Sequence, residues 1–146
     1  MDIKIIKSHE SVSFHIYLDQ NLALAEISKI DKESFEGYLD ICSNKKTLQK
    51  IKNEIIVCDS YYFFNRLNVP QKLRGGGLGK TLLNQVLNFC RDNNIALMNT
   101  VNNYGDMSTK DLIDFYQKSG MTLLDKKGLL VFHSHISLNV KKTKKP

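Results

Sequence analysis

Residues 11–18 alternate small or polar side chains (Ser11, Ser13, His15, Tyr17) with apolar ones (Val12, Phe14, Ile16, Leu18). A period of two predicts a β-strand. Asp19-Gln20-Asn21 supplies turn chemistry, and apolar positions resume over 22–27, so the two runs predict a β-hairpin. Residues 31–52 are polar, with Phe35, Tyr38, Leu39, Ile41, Leu48 and Ile51 irregularly spaced, and predict one or two short helices. From Glu54 the pattern turns β-branched and aromatic. Ile55-Ile56-Val57 comes first, and then the run 61–69, the clearest strand pattern in the chain. It ends at Pro70, which cannot donate to a ladder.

Beyond a cluster of glycines, Leu78, Leu82, Leu83, Val86, Leu87 and Cys90 recur at helical spacing, with Lys80, Asn84, Asn88 and Arg91 on another face. This predicts an amphipathic helix ending at Asp92-Asn93-Asn94. The short apolar run 95–101 reads as a buried strand. Ser108-Thr109-Lys110-Asp111 has a capping-box pattern and opens a second helix through Leu112, Ile113, Phe115 and Tyr116, stopped by Gly120. Residues 121–124 and 128–136 predict two closing strands around Lys126-Lys127-Gly128. The whole predicts an α/β fold with one domain over 1–140 and a basic tail over 141–146.

The 146 residues are 42% hydrophobic and 25% charged, proportions of a globular chain rather than a disordered or fibrous one. No apolar run approaches the roughly 20 residues of a membrane-spanning helix. Met1-Asp2-Ile3-Lys4 does not begin a secretory signal pattern, so a cytoplasmic protein without membrane partners is expected. Cys42, Cys58 and Cys90 form no C-x-x-C pair and read as reduced thiols. The net charge is +6, but four lysines fall within 141–146, leaving +2 for the rest. Nucleic acid is therefore an expected partner only through that tail, whose blander reading is a solvated end.

Arg74-Gly75-Gly76-Gly77-Leu78-Gly79-Lys80-Thr81 lies between the best strand and the best helix. Glycines there allow positive φ and close approach of a ligand, and the free N–H groups of a helix start favour an anion. A flexible turn is the alternative. The run is not a P-loop, which would need glycine at position 74, where Arg74 stands. It is not a dinucleotide fingerprint either, because Lys80 occupies the third glycine position.

Arg74, Gly77 and Gly79 do match Gln/Arg-x-x-Gly-x-Gly/Ala, the acyl-CoA signature of the GCN5-related N-acetyltransferases, and the chain resembles that family over about residues 67–121. Leu67-Asn68-Val69-Pro70 precedes the signature, and Phe115-Tyr116-Gln117-Lys118-Ser119-Gly120-Met121 resembles the family's F-Y-x-K-x-G-F segment. The resemblance implies a central mixed, mostly antiparallel sheet, splayed between strands 4 and 5 and flanked by helices. It implies acetyl-CoA as co-substrate, with no metal. Backbone N–H groups of Arg74, Gly75, Gly76, Gly77, Leu78, Gly79 and Lys80 would hold the pyrophosphate, and Arg74 and Lys80 would add charge. The backbone of Leu67, Asn68 and Val69 would pair with the pantetheine arm, and Tyr116 would protonate the departing thiolate. Thr109 and Leu112 stand where members often carry Asn and Ala, and Met121 replaces the usual Phe.

The function so implied is transfer of an acetyl group to an amine by direct attack. The acceptor is left open between a small amine, a protein amine and an aminoacyl-tRNA, as is a homodimer. A non-catalytic acyl-CoA-binding or sensor module is the alternative from another class, and Tyr116, otherwise readable as a core tyrosine, separates the two. Glu26, Glu54, Asp59 and His133 are candidate bases, none assigned. His133 and His135 on one strand face read as a structural or solvent-facing pair, since a third metal ligand is missing. Tyr61-Tyr62-Phe63-Phe64 reads as sheet packing rather than a base-stacking platform.

Overall fold

The computed structural model describes residues 2–101 and 108–134. In chain order the elements are β1 (Lys4–Lys7), β2 (Ser11–Leu18), β3 (Asn21–Ile30), α1 (Lys32–Leu39), α2 (Lys45–Ile55) and β4 (Ser60–Asn68). There follow α3 (Leu78–Asp92), β5 (Ile95–Thr100), α4 (Thr109–Ser119), β6 (Thr122–Asp125) and β7 (Leu129–Phe132). The strands form one sheet in the order β1-β2-β3-β4-β5-β7-β6. Among the described strands only β4 and β5 run parallel, because α3 carries the chain back across the sheet between them; the other described pairs are antiparallel.

The β2–β3 hairpin turns on Asp19 and Gln20, both at positive φ, the two-residue geometry whose twist matches that of the flanking strands. Its alternation sends Val12, Phe14 and Ile16 to one sheet face, where they meet the buried stripe of α3. Phe35, Leu39, Leu48, Ile51 and Ile55 of α1 and α2 cover Tyr61, Ala96, Met98 and Val131 on the other face. Helices thus flank both faces of a mostly antiparallel α/β sheet. Tyr61 and Phe64 are buried in the two opposite layers, as expected of sheet packing.

Two sequence readings change, and one strand is new. Ile55-Ile56-Val57 is not strand: Leu48, Ile51 and Ile55 form the buried stripe of α2, and Ile56 and Val57 lie exposed at its end. The Tyr61 hydroxyl donates to the Ile55 carbonyl at 2.8 Å. The edge strand β1 was not anticipated, since Lys-Ile-Ile-Lys shows no alternation and all four residues are exposed. His133 follows the end of β7 and is fully buried, with Nε2 3.4 Å from Glu54 Oε1. His135 and the lysine tail lie outside the described residues. The three cysteines are buried with free thiols. No described helix is long and apolar enough to cross a membrane.

Candidate functional site

Pairing between β4 and β5 runs from Ser60↔Ile95 to Phe63↔Met98 and then stops, although β4 continues to Asn68 and β5 to Thr100. The cause lies on the other side of β4. Glu26 pairs with Arg66 and Ile27 with Phe64, so Asn65 is an extra, bulged residue, and a bulge bends its strand. β5 meanwhile follows β7 through Thr100↔Leu129. Among the described residues, β4 from Phe64 onward therefore has a strand neighbour only on its β3 side, leaving its other backbone edge open there. Asn65 is held by hydrogen bonds from its Nδ2 to Glu26 Oε1 and to Ser28 Oγ, and Ser13 Oγ donates to Glu26 Oε2 at 3.3 Å.

The fork opens into a cavity of about 640 Å³, within the roughly 300–1,000 Å³ typical of small-molecule sites. Leu67, Asn68 and Val69 form one wall, and Arg74, Gly75, Gly77, Leu78, Gly79 and Lys80 another; Gly76 does not line it. Leu112, Phe115 and Tyr116 of α4 close the third side. Among the described residues, the charged side chains lining it are Arg66, Arg74 and Lys80, all cationic.

The start of α3 explains why glycines are needed. Gly77 caps the helix in the left-handed region (φ 81°) without a side-chain cap, and Gly75 also has positive φ (89°). Thr81 is the first residue of this turn whose N–H bonds back, to the Gly77 carbonyl at 3.0 Å. The N–H groups before it lie at the positive end of the helix dipole, in residues that line the cavity. A Cβ on Gly79 would stand 3.8 Å from both Phe115 and Val69, inside the cavity wall. Arg74 is not a simple charge on the rim: its Nε donates to the Val69 carbonyl at 3.0 Å, pinning the turn between β4 and α3. That carbonyl is thus engaged, and the open edge is carried by the residues before it.

Ser108 caps α4 by accepting from the Asp111 N–H at 3.1 Å, and Gly120 ends it at φ 120°. Tyr116 is the buried residue of this helix, 8% exposed, with its ring edge-on to Phe64 and Phe115 at 5.8 and 5.3 Å. Burial pushes its phenol above the ordinary tyrosine range, and the Asn99 carboxamide acts in the opposite direction. Asn99 was not singled out from the sequence. It follows the last β4–β5 pair directly, lines the cavity, and is 5% exposed.

Of the candidate bases, Glu26 lies beside the bulge, while Glu54 pairs with His133 away from the cavity lining. Asp59 does not line the cavity either. Cys58 and Cys90 also lie outside it, and burial pushes the Cys58 thiol up to about 11 and that of Cys90 higher still, which keeps both unreactive at neutral pH. No grouping of three or more metal-ligating side chains occurs among the described residues. Comparisons with protein-family models, curated proteins and solved structures find no match to this chain.

Proposed function

We propose that this chain is an acetyl-CoA-dependent N-acetyltransferase of the GCN5-related type, acting on an amine by direct attack on the thioester. The observation that carries the reading is the coincidence of three features in one cavity: an open β4 edge, an uncapped α3 N-terminus reached through positive-φ glycines, and a buried tyrosine. Each answers a different part of an acyl-CoA. The α3 N–H groups, with Arg74 and Lys80, suit a pyrophosphate. The backbone of Leu67 and Asn68 suits the amide-bearing pantetheine arm, as an added strand suits a sheet edge.

In this reading the acceptor's nitrogen attacks the thioester carbon, and collapse of the tetrahedral adduct breaks the C–S bond. Tyr116 gives its proton to the departing sulfur, and the amine's proton leaves to solvent, which restores the phenol. Burial holds Tyr116 in its protonated form, so no alkaline loss of activity from this residue falls below about pH 10. Neither a cysteine nucleophile nor a metal has a place in these steps.

Thiol release from acetyl-CoA with panels of small amines, peptides and aminoacyl-tRNA tests the proposal. Tyr116→Phe is expected to keep CoA affinity while slowing release at least about tenfold. Unchanged turnover would remove Tyr116 from the mechanism. Acetyl-CoA binding without release by any acceptor class would favour the non-catalytic binding module.

A further inference from the structure

Two strongly polar side chains are buried among the described residues, His133 and Asn99, and of the two Asn99 lines the cavity. It is 5% exposed, pairs on β5 with the fully buried Leu130 and shares its sheet face with Leu97. Its Nδ2 has no hydrogen-bond partner among the described residues. Desolvating an amide N–H without a partner costs stability, so an apolar side chain would serve the fold better here. The placement gives the N–H a use. The parallel ladder ends at Phe63↔Met98, and Asn99 stands where the next pair, with Phe64, would have formed. Phe64 is in turn edge-on to Tyr116, and all three residues line the cavity at the closed end of the fork. Four residues of strand, roughly 13 Å, separate Phe64 from Asn68. A ligand with its phosphates at the α3 start and its arm along β4 therefore brings its far end to Asn99.

We propose that the Asn99 carboxamide is a ligand-binding donor, its Nδ2 holding a carbonyl oxygen at the closed end of the fork; resting on the acyl-transfer reading, that oxygen is the thioester's. As the acceptor nitrogen adds to the thioester carbon, the C=O π electrons move onto oxygen, and the Nδ2 N–H donates to that oxygen without giving up its proton. Collapse of the adduct re-forms the C=O bond and breaks the C–S bond. The electron pair leaves with sulfur, and Tyr116 supplies sulfur's proton. Asn99 thus acts on the oxygen and Tyr116 on the sulfur. A donor fixed before the reaction needs no reorganisation during it, and the apolar surroundings of Leu97 and Leu130 strengthen the interaction. CoA without an acyl group offers this N–H no thioester oxygen, so Asn99 should favour acetyl-CoA over CoA.

The test compares the full chain with Asn99→Leu, which suits the apolar neighbours, and Asn99→Ala, which adds no bulk. Infrared difference spectra, recorded without acceptor on acetyl-CoA labelled at the thioester carbonyl carbon, should place its stretch at lower frequency bound to the native chain than free, and both variants should lose that shift. In titration calorimetry affinity for acetyl-CoA should fall about tenfold and that for CoA less than about twofold. Thiol release with an acceptor should fall about a hundredfold in kcat. A carbonyl band that stays in place on substitution overturns the proposal. So does an equal loss of affinity for CoA and acetyl-CoA, which would put the donor on an amide of the pantetheine arm. If the native chain binds neither ligand, the acyl-CoA reading fails and the proposal with it, whereas native binding with an unmoved band defeats the proposal alone.

Discussion

Among the described residues, three α-helices begin in one way and a fourth, α3, in another. Asp31 accepts from the Ser34 N–H at 2.6 Å, Asn44 from the Thr47 N–H at 3.1 Å and Ser108 from the Asp111 N–H at 3.1 Å, so α1, α2 and α4 satisfy part of their first turn internally. α3 begins on Gly77 without a side-chain cap, and its first residues line the cavity. It is also the helix with the most complete apolar stripe, Leu78 through Cys90. Strong packing along its length lets α3 tolerate an open start, and the site exists because that start is open.

The substitution that breaks this contrast most severely is Gly77→Val. A β-branched residue in the left-handed region should destabilise the chain by ~1–2 kcal/mol in urea unfolding and weaken CoA binding by at least about a hundredfold in titration calorimetry. Lys80→Ala leaves the helix start intact but removes one cation from the cavity. CoA affinity should fall about tenfold, with a shallower dependence on salt. Asn44→Ala makes α2 resemble α3 in lacking a cap, and should cost about 1 kcal/mol of stability while leaving CoA affinity unchanged, because α2 does not line the cavity.

The smallest effect is in acid. The Ser34 N–H holds the Asp31 carboxyl below its ordinary value. Its stabilising contribution is thus fully present above about pH 4 and is lost as pH falls through the lowered folded value. Asp31→Asn, which keeps an accepting oxygen, should flatten that acid limb of the unfolding profile without altering ligand response.

Local chemistry was legible in the chain: the α3 stripe, the Ser108 cap, the position of the hairpin turn at Asp19-Gln20 and the glycines before α3 all depend on neighbours within a few positions. Features made by distant pairing were not. Asn99 is one polar letter in an apolar run, and its significance arises only where β4 parts from β5 after Phe63↔Met98. The bulge at Asn65 is likewise visible only against Glu26 and Ile27 of β3. β1 is a strand through its partner β2 rather than through any pattern of its own. Ile55 looked like strand because its β-branched neighbours masked the helical spacing with Leu48 and Ile51.

The most direct test of the central claim is a thermal-unfolding titration of the full chain with acetyl-CoA, CoA, ATP and NAD, since a ligand that binds only the folded state raises Tm. Stabilisation by acetyl-CoA and CoA, lost in Gly77→Val and absent with NAD, is the predicted result. No response to either CoA form, or a response to ATP alone, would contradict the assignment of the fork and the α3 start as an acyl-CoA site.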